Sequence, residues 1–145
     1  MWRLVIRTNL VHGGEVMRRV REAGFPELQA GWLRILGHLD SEGTRPKVIA
    51  EKAGMSAQAT GQMIDDLVRS GVVTRTPDAV DKRGVVIQFT SRGRKMLETS
   101  VRKMAEVEAE YAALVGKKRY ALLKELLVEL VGAIDAQGDL NPSQR

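Results

Sequence analysis

The sequence predicts a mainly α-helical chain with one two-stranded β-hairpin, an α+β fold. Apolar residues recur at the three- and four-residue spacing of amphipathic helices along most of the 145 residues. Between residues 72 and 90 the pattern changes to two β-branched runs separated by a charged, turn-rich connector. Glycines and prolines stand at the ends of these segments, where helices stop and start.

The first two helices are predicted over residues 9–23 and from Pro26 to about residue 40. The first has Val16, Val20 and Ala23 spaced for one buried face. The residues before it are either a helical extension or an apolar arm that packs on a partner subunit. Proline suits the first turn of the second helix, since its missing N–H does no harm there.

The next segment has the composition of two helices joined by a tight turn. A short helix from Pro46 to Ala53 ends at Gly54, and Ser56 is a good N-cap for a helix that stops at Gly71. Such a turn lets two helices cross steeply, so the segment predicts a helix-turn-helix. Strands over residues 72–76 and 85–90 follow at once, and they predict a hairpin that forms a wing beside it.

Two long helices are predicted after the hairpin. One is capped by Ser91 and runs from Arg92 to about Val115, with an apolar stripe of Leu97, Val101, Met104, Tyr111 and Leu114. The last helix, over about residues 119–135, is apolar on more than one stripe, and a chain of this size offers few partners to bury it. A twofold dimer is the expected solution, and burial within one monomer is the alternative. The polar tail over residues 139–145 is expected to fray.

Composition excludes several classes of protein. There is no cysteine, so disulfides and thiolate metal sites are excluded, and with only His12 and His38 no metal site is expected. No apolar stretch approaches a transmembrane span or the core of a signal peptide, so a cytoplasmic protein without a membrane partner is expected. No phosphate loop, nucleophile elbow or His-Glu-x-x-His motif occurs, which indicates neither an enzyme nor a cofactor.

The positive charge is concentrated in the middle of the chain. The net charge is +5, and residues 44–95 alone carry ten basic and five acidic side chains, whereas the flanking thirds nearly balance. This asymmetry favours a polyanionic partner, although a modest basic excess also simply aids solubility.

The helix after the turn has an outward side suited to double-stranded DNA. Gln pairs with the edge of adenine, Ser serves several bases and Ala contacts the thymine methyl group. The candidate DNA-binding residues at its N-terminal end are Ser56, Ala57, Gln58, Ala59 and Gln62. The alternative is an ordinary polar face, which any amphipathic helix carries.

The hairpin adds Arg75 on its first strand and Asp81, Lys82 and Arg83 in its connector as candidate DNA-binding residues. Arginine is the side chain that best fills a narrow minor groove. Phosphate repels Asp81, so its expected role is to orient Arg83 or Arg75 through a charge-assisted hydrogen bond. The alternative is a solvated turn with unrelated charges.

These residues resemble the wing region of the MarR family of winged helix-turn-helix transcriptional regulators. Its members show a Gly-Leu-Val-x-Arg lead-in, an Asp-x-Arg wing tip and a Leu-Thr-x-x-Gly junction. The corresponding segments here are residues 71–75, Asp81 to Arg83, and residues 89–93, with Val72 and Phe89 as conservative departures.

The resemblance implies a homodimer whose terminal helices interlock and whose two lobes straddle a pseudo-palindromic operator, often as a repressor released by a small aromatic or anionic ligand. It implies an N-terminal arm and dimerisation helix over 1–25, a DNA-binding lobe over 26–95, and dimerisation helices with the tail over 96–145. Ala57 and Ala59 stand where the family often has Arg or Thr. The wing and backbone contacts are therefore expected to contribute more of the DNA binding.

Ligand candidates come from the helices that the family uses for effectors: His12, Trp32, His38 and Tyr111. An aromatic at helical spacing is more often a core residue, and a lone histidine is more often structural. A winged-helix module that contacts proteins and not DNA is the alternative for the whole chain, since the fold alone does not exclude it.

Overall fold

The computed structural model describes residues 2–81 and 84–137. The elements, in chain order, are α1 (Trp2–Glu22), a 3-10 turn (Ala30–Trp32), α2 (Leu33–Leu36), α3 (Pro46–Ala53), α4 (Ala57–Arg69), β1 (Val73–Pro77), β2 (Val85–Phe89), α5 (Ser91–Val115) and α6 (Lys117–Gln137). β1 and β2 pair antiparallel, from Val73 opposite Phe89 to Pro77 opposite Val85. The predicted helical fold with one hairpin is confirmed.

Helix α1 is longer than the sequence pattern indicates, because it begins at Trp2 and not at Asn9. The residues before Asn9 are therefore a helical extension in this chain. Val16 and Val20 are buried as predicted. Ala23 is exposed and lies in the turn after the helix, so its predicted place on the buried face is wrong.

The predicted helix from Pro26 is also wrong, since the chain makes turns there and becomes helical only at Ala30. Phe25 and Leu28 are both buried, and the Leu28 N–H donates to the Phe25 carbonyl at 3.1 Å. The Leu28 carbonyl, which a continuous helix would use internally, accepts a hydrogen bond from Arg21 Nε at 2.9 Å. Tertiary contacts thus replace the helical ones in this segment.

The chain packs as two units, one ending at Lys103 and the other beginning at Met104 within α5. In the first unit, α2, α3, α4, the hairpin and the start of α5 supply one apolar core. Its fully or almost fully buried side chains are Trp32, Ile35, Ile49, Ile64, Leu67, Val72, Val73, Ile87 and Met96. This core holds the helix-turn-helix and the hairpin together as one lobe.

The junction between the hairpin and α5 is closed by Thr90 and Gly93. Thr90 Oγ1 donates to the Gly71 carbonyl at 2.5 Å and accepts from the Gly93 N–H at 3.0 Å. The Thr90 N–H donates to the Val72 carbonyl at 3.1 Å. A Cβ atom at position 93 would overlap that carbonyl, so only glycine fits here. The close packing explains why threonine and glycine stand three residues apart.

The apolar stripe predicted for α5 is not buried in the single chain. Leu97, Val101, Met104 and Leu114 are exposed, whereas Met96, Thr99 and Val107 are buried. The predicted stripe therefore lies on the uncovered side of the helix.

Helix α6, which belongs to the second unit, is exposed along almost its whole length. Lys124 Nζ forms an ion pair with Glu108 on α5 at 2.7 Å within this unit. The apolar side chains of α6, each about half exposed or more, are Leu122, Leu123, Leu126, Leu127, Val128, Leu130 and Val131. Burial within the monomer, the alternative left open above, does not occur in the described part of the chain.

Candidate nucleic-acid interface

The turn between α3 and α4 has the predicted stop and cap. Gly54 adopts the left-handed conformation at φ +60°, and the next N–H, of Met55, donates to the Ala50 carbonyl at 2.9 Å. Ser56 is the N-cap of α4, and its Oγ accepts from the Ala59 N–H at 3.2 Å. These local bonds set the angle at which α4 leaves the turn.

Helix α4 divides into a buried and an exposed side. Thr60, Ile64 and Leu67 are buried in the lobe. Ser56, Ala57, Gln58 and Gln62 are exposed, while Ala59 is half-buried. Gln58 and Gln62 are one helical turn apart and lie on the same side. Four of the five candidate residues on α4 are thus freely accessible to a partner, and Ala59 is partly covered.

An ion pair joins the exposed side of α4 to the hairpin. Arg75 on β1 donates through Nη2 to Asp65 Oδ1 on α4 at 2.6 Å. Asp65 therefore serves as a partner of Arg75, a role that the sequence interpretation had offered to Asp81. Both side chains are about half exposed, so salt and solvent weaken this pair and it adds little stability.

Helix α3 and the loop before it support the hairpin. The Thr44 N–H donates to the Ile87 carbonyl at 3.0 Å, and the Ile87 N–H donates back to the Thr44 carbonyl at 2.9 Å. Thr44 thus forms an isolated antiparallel β-bridge with Ile87 on β2. An isolated hairpin is only marginally stable in water, so this bridge and the core contacts of β2 stabilise the wing.

Arg45 and Asp78 form a second link to the wing, which the sequence interpretation missed. Arg45 Nε donates to Asp78 Oδ2 at 2.5 Å. Asp78 Oδ1 accepts from the backbone N–H groups of Val80 at 2.8 Å and Asp81 at 3.3 Å. These backbone hydrogen bonds, together with Arg45, lower the pKa of the Asp78 carboxyl below its usual range. An arginine where an N-cap serine or aspartate is usual was the available sequence signal.

The remaining wing candidates are only partly within the described residues. Asp81 is exposed, and its charge contributes, after that of Asp78, to the raised pKa of Arg45. Lys82 and Arg83 lie outside the described residues, so the predicted role of the wing tip stays a prediction.

The ligand candidates are scattered through the chain. Trp32 is buried, and its Nε1 finds no hydrogen-bond partner in the described structure. His12, His38 and Tyr111 are half-buried. A cleft of about 620 Å³ between the wing and residues 40–48 is lined by none of these four residues.

The described ranges contain neither a metal-binding cluster nor a membrane-spanning helix. Within residues 2–81 and 84–137, no group of three or more side chains is arranged to hold a metal ion. None of the helices described combines the length and the apolar character that a membrane span requires.

A capped helix with an exposed polar side, next to a hairpin that the same core supports, defines a winged helix-turn-helix protein. Residues 27–84 match the sequence model of the MarR family. The resemblance to this family noted in the wing is thus confirmed over the residues that carry the helix-turn-helix and β1.

Two curated relatives are transcriptional regulators of the helix-turn-helix type. YfiV of Bacillus subtilis (strain 168) is 37% identical over 65 residues, which are 44% of this chain and 41% of YfiV. FarR of Neisseria gonorrhoeae is 29% identical over 104 residues, 71% of each chain. The similarity to YfiV thus spans about two fifths of that protein.

Solved structures show the same fold. The transcriptional repressor CouR, bound to a 23-mer DNA duplex, superposes with a TM-score of 0.67 over 88% of this chain and 89% of its own, at 22% sequence identity. At that identity the likeness concerns the fold.

Proposed function

We propose that the chain is a homodimeric regulator that binds a pseudo-palindromic DNA operator in the cytoplasm, as a repressor and without enzymatic activity. The observation that carries the proposal is the exposed N-terminal side of α4, where Gln58 and Gln62 stand one turn apart beside a wing. Glutamine side chains of this kind read adenine edges in the major groove. The structural neighbour CouR is itself a repressor bound to a DNA duplex.

The homodimer is inferred from the uncovered apolar side chains. Along α6, Leu122, Leu126 and Leu130 are each about half exposed at the four-residue spacing of one helical face. Soluble monomers rarely expose apolar patches of this extent, because removing them from water is favourable. Two copies that pack these helices about a twofold axis remove the patch and place two lobes on one operator.

Selection of bound duplexes from a random pool tests the operator. We expect two inverted half-sites about 10 base pairs apart, centre to centre, because each lobe enters a major groove on the same side of the helix. Affinity for the selected duplex should fall steeply with salt as phosphate counterions are released. Enrichment of no sequence, with binding insensitive to salt, would favour the alternative of a protein-binding module.

Release by a small aromatic or anionic ligand is proposed for the region of Trp32, with His12, His38 and Tyr111 as further candidates. Trp32 is 3% exposed, and its indole N–H is without an acceptor among the described residues. A buried donor in that state is available to a carboxylate or phenol oxygen. Salicylate should raise the melting temperature of the protein and should do so less for Trp32→Phe. Equal shifts for both proteins would remove Trp32 from the proposed site.

A further inference from the structure

Arg45 connects two parts of the lobe that are far apart in the chain. It occupies the N-cap position of α3, yet its side chain makes no capping hydrogen bond there. Instead its Nε donates to Asp78 Oδ2, 33 positions further along, where β1 has just ended. The Arg45–Asp78 pair thus joins the first helix of the helix-turn-helix to the base of the wing.

Asp78 holds the turn that leads to the wing tip. Its carboxylate accepts the N–H groups of Val80 and Asp81, as described above. Its own N–H donates to the Gly84 carbonyl at 3.0 Å, and the Gly84 N–H donates to the Asp81 carbonyl at 2.7 Å. The two described sides of the connector are therefore tied to each other through Asp78.

Because Asp78 is buried, its pairing with the arginine matters. The Asp78 side chain is only 8% exposed, and a carboxylate withdrawn from water needs a cation or several hydrogen bonds to stay charged. Without Arg45, the carboxylate keeps the Val80 and Asp81 N–H donors but loses its paired cation, so taking up a proton or turning towards water becomes easier. Either change weakens its hold on the Val80 and Asp81 amides, so residues 78–81 become less ordered.

The order of the backbone at residues 78–81 affects how tightly the wing binds a partner. Val80 is 91% exposed although its backbone N–H is held by Asp78, so this residue presents its side chain outward on a hydrogen-bonded backbone. A segment that is ordered before binding loses less conformational freedom on binding, which increases affinity without any new contact.

We propose that Arg45 is a positioning residue for the wing, acting through Asp78 to hold residues 78–81 and Gly84 in the geometry that binds DNA. This inference rests on the proposed function in that DNA is the partner of the wing. The rival role for Arg45 is a direct phosphate contact, since its side chain is 49% exposed.

Amide hydrogen exchange in the DNA-free protein tests the positioning itself. In Arg45→Ala we expect the Val80 and Asp81 amides to exchange about tenfold faster or more, while amides in the middle of α4 keep their rates. Arg69→Ala is the matched control, because it removes an arginine that pairs with Asp66 in the same lobe but contacts no part of the wing in the described structure. Unchanged exchange at Val80 and Asp81 would overturn the proposal, whether or not the protein binds DNA.

Binding to the selected duplex separates positioning from phosphate contact. We expect Arg45→Ala to weaken binding about tenfold with little change in the dependence on salt, because the wing has lost its geometry and not a phosphate contact. Asp78→Asn, which keeps an acceptor for the two amides but removes the charge, should weaken binding less, and adding Arg45→Ala to it should cost little more.

The opposite pattern would refute the proposal. Additive losses in the double variant, with a salt slope lowered by about one, would make Arg45 a phosphate contact. If no duplex is bound by the unaltered protein, the proposed function fails, and the exchange experiment still decides whether Arg45 holds the connector.

Discussion

Gly93 lies where the hairpin passes into α5, and replacing it with alanine tests the packing of that junction. The built position of a Cβ atom at residue 93 overlaps the Val72 carbonyl and lies 3.0 Å from Phe89 Cδ1. The carbonyl cannot easily turn away, because it accepts a hydrogen bond from the Thr90 N–H at 3.1 Å. The backbone of the lobe must therefore move to make room for one methyl group.

Two opposing effects set the magnitude. Alanine in place of glycine favours a helix by roughly 1 kcal/mol, whereas overpacking a tight site costs about 1–3 kcal/mol and more when backbone must move. We expect Gly93→Ala to lower the free energy of unfolding by about 2 kcal/mol. Gly61→Ala in α4 is the matched control, since a Cβ there meets no atom within 4 Å. It should raise the free energy of unfolding by about 0.5–1 kcal/mol.

Urea denaturation of the unaltered protein, Gly93→Ala and Gly61→Ala, all at the same protein concentration, measures both changes in the free energy of unfolding. With a typical slope for a small protein, a loss of 2 kcal/mol lowers the midpoint by about 1 M, and the slope should stay the same. A Gly93→Ala midpoint equal to or above that of the unaltered protein would show that the junction has room for a side chain, contrary to the packing described here.

Four further outcomes are expected. Arg83→Ala should weaken operator binding about tenfold or more with an unchanged melting temperature; equal affinity in a mobility-shift titration would remove the wing tip from the interface. Gln58→Ala should relax base preference at one position by about 1–3 kcal/mol, and a repeated duplex selection that returns an unchanged preference there would exclude Gln58 from base readout. Leu127→Asp should halve the mass seen by light scattering, because a charge is costly in an apolar interface; an unchanged mass would place the interface elsewhere. The lowered pKa of Asp78 stabilises the fold above the unfolded pKa of about 4, and this contribution is lost as pH falls through the folded value, so Asp78→Asn should flatten the rise of stability with pH in the acid range. Parallel stability curves for the two proteins would contradict the last expectation.

The parts of the fold that the sequence predicts well depend on local chemistry. Gly54 stops α3 because glycine adopts a positive φ at little cost, and Ser56 caps α4 through its own hydroxyl group. The change from helical to alternating periodicity marks the hairpin, and Thr90 and Gly93 mark its junction with α5. Each of these signals acts over a few residues, so it can be recognised from the sequence alone.

The sequence predictions are wrong where contacts with residues distant in the chain determine the structure. Pro26 begins no helix, because Arg21 takes the Leu28 carbonyl and two apolar side chains turn into the core instead. The apolar stripe with Leu97 and Val101 is exposed, since spacing shows which residues share a face and not what covers that face. Burial depends on a partner surface that a helical pattern does not identify.

The candidate interface divides in the same way. Helical periodicity and a cap are enough to predict the exposed side of α4, which carries residues such as Gln58 and Gln62. The pairing of charged residues in the lobe depends on the tertiary structure: Arg75 pairs with Asp65, and Arg45 pairs with Asp78 across 33 positions. The physical reason is that an ion pair requires two side chains to meet in space, and the core of the lobe, not the spacing along the chain, brings them together.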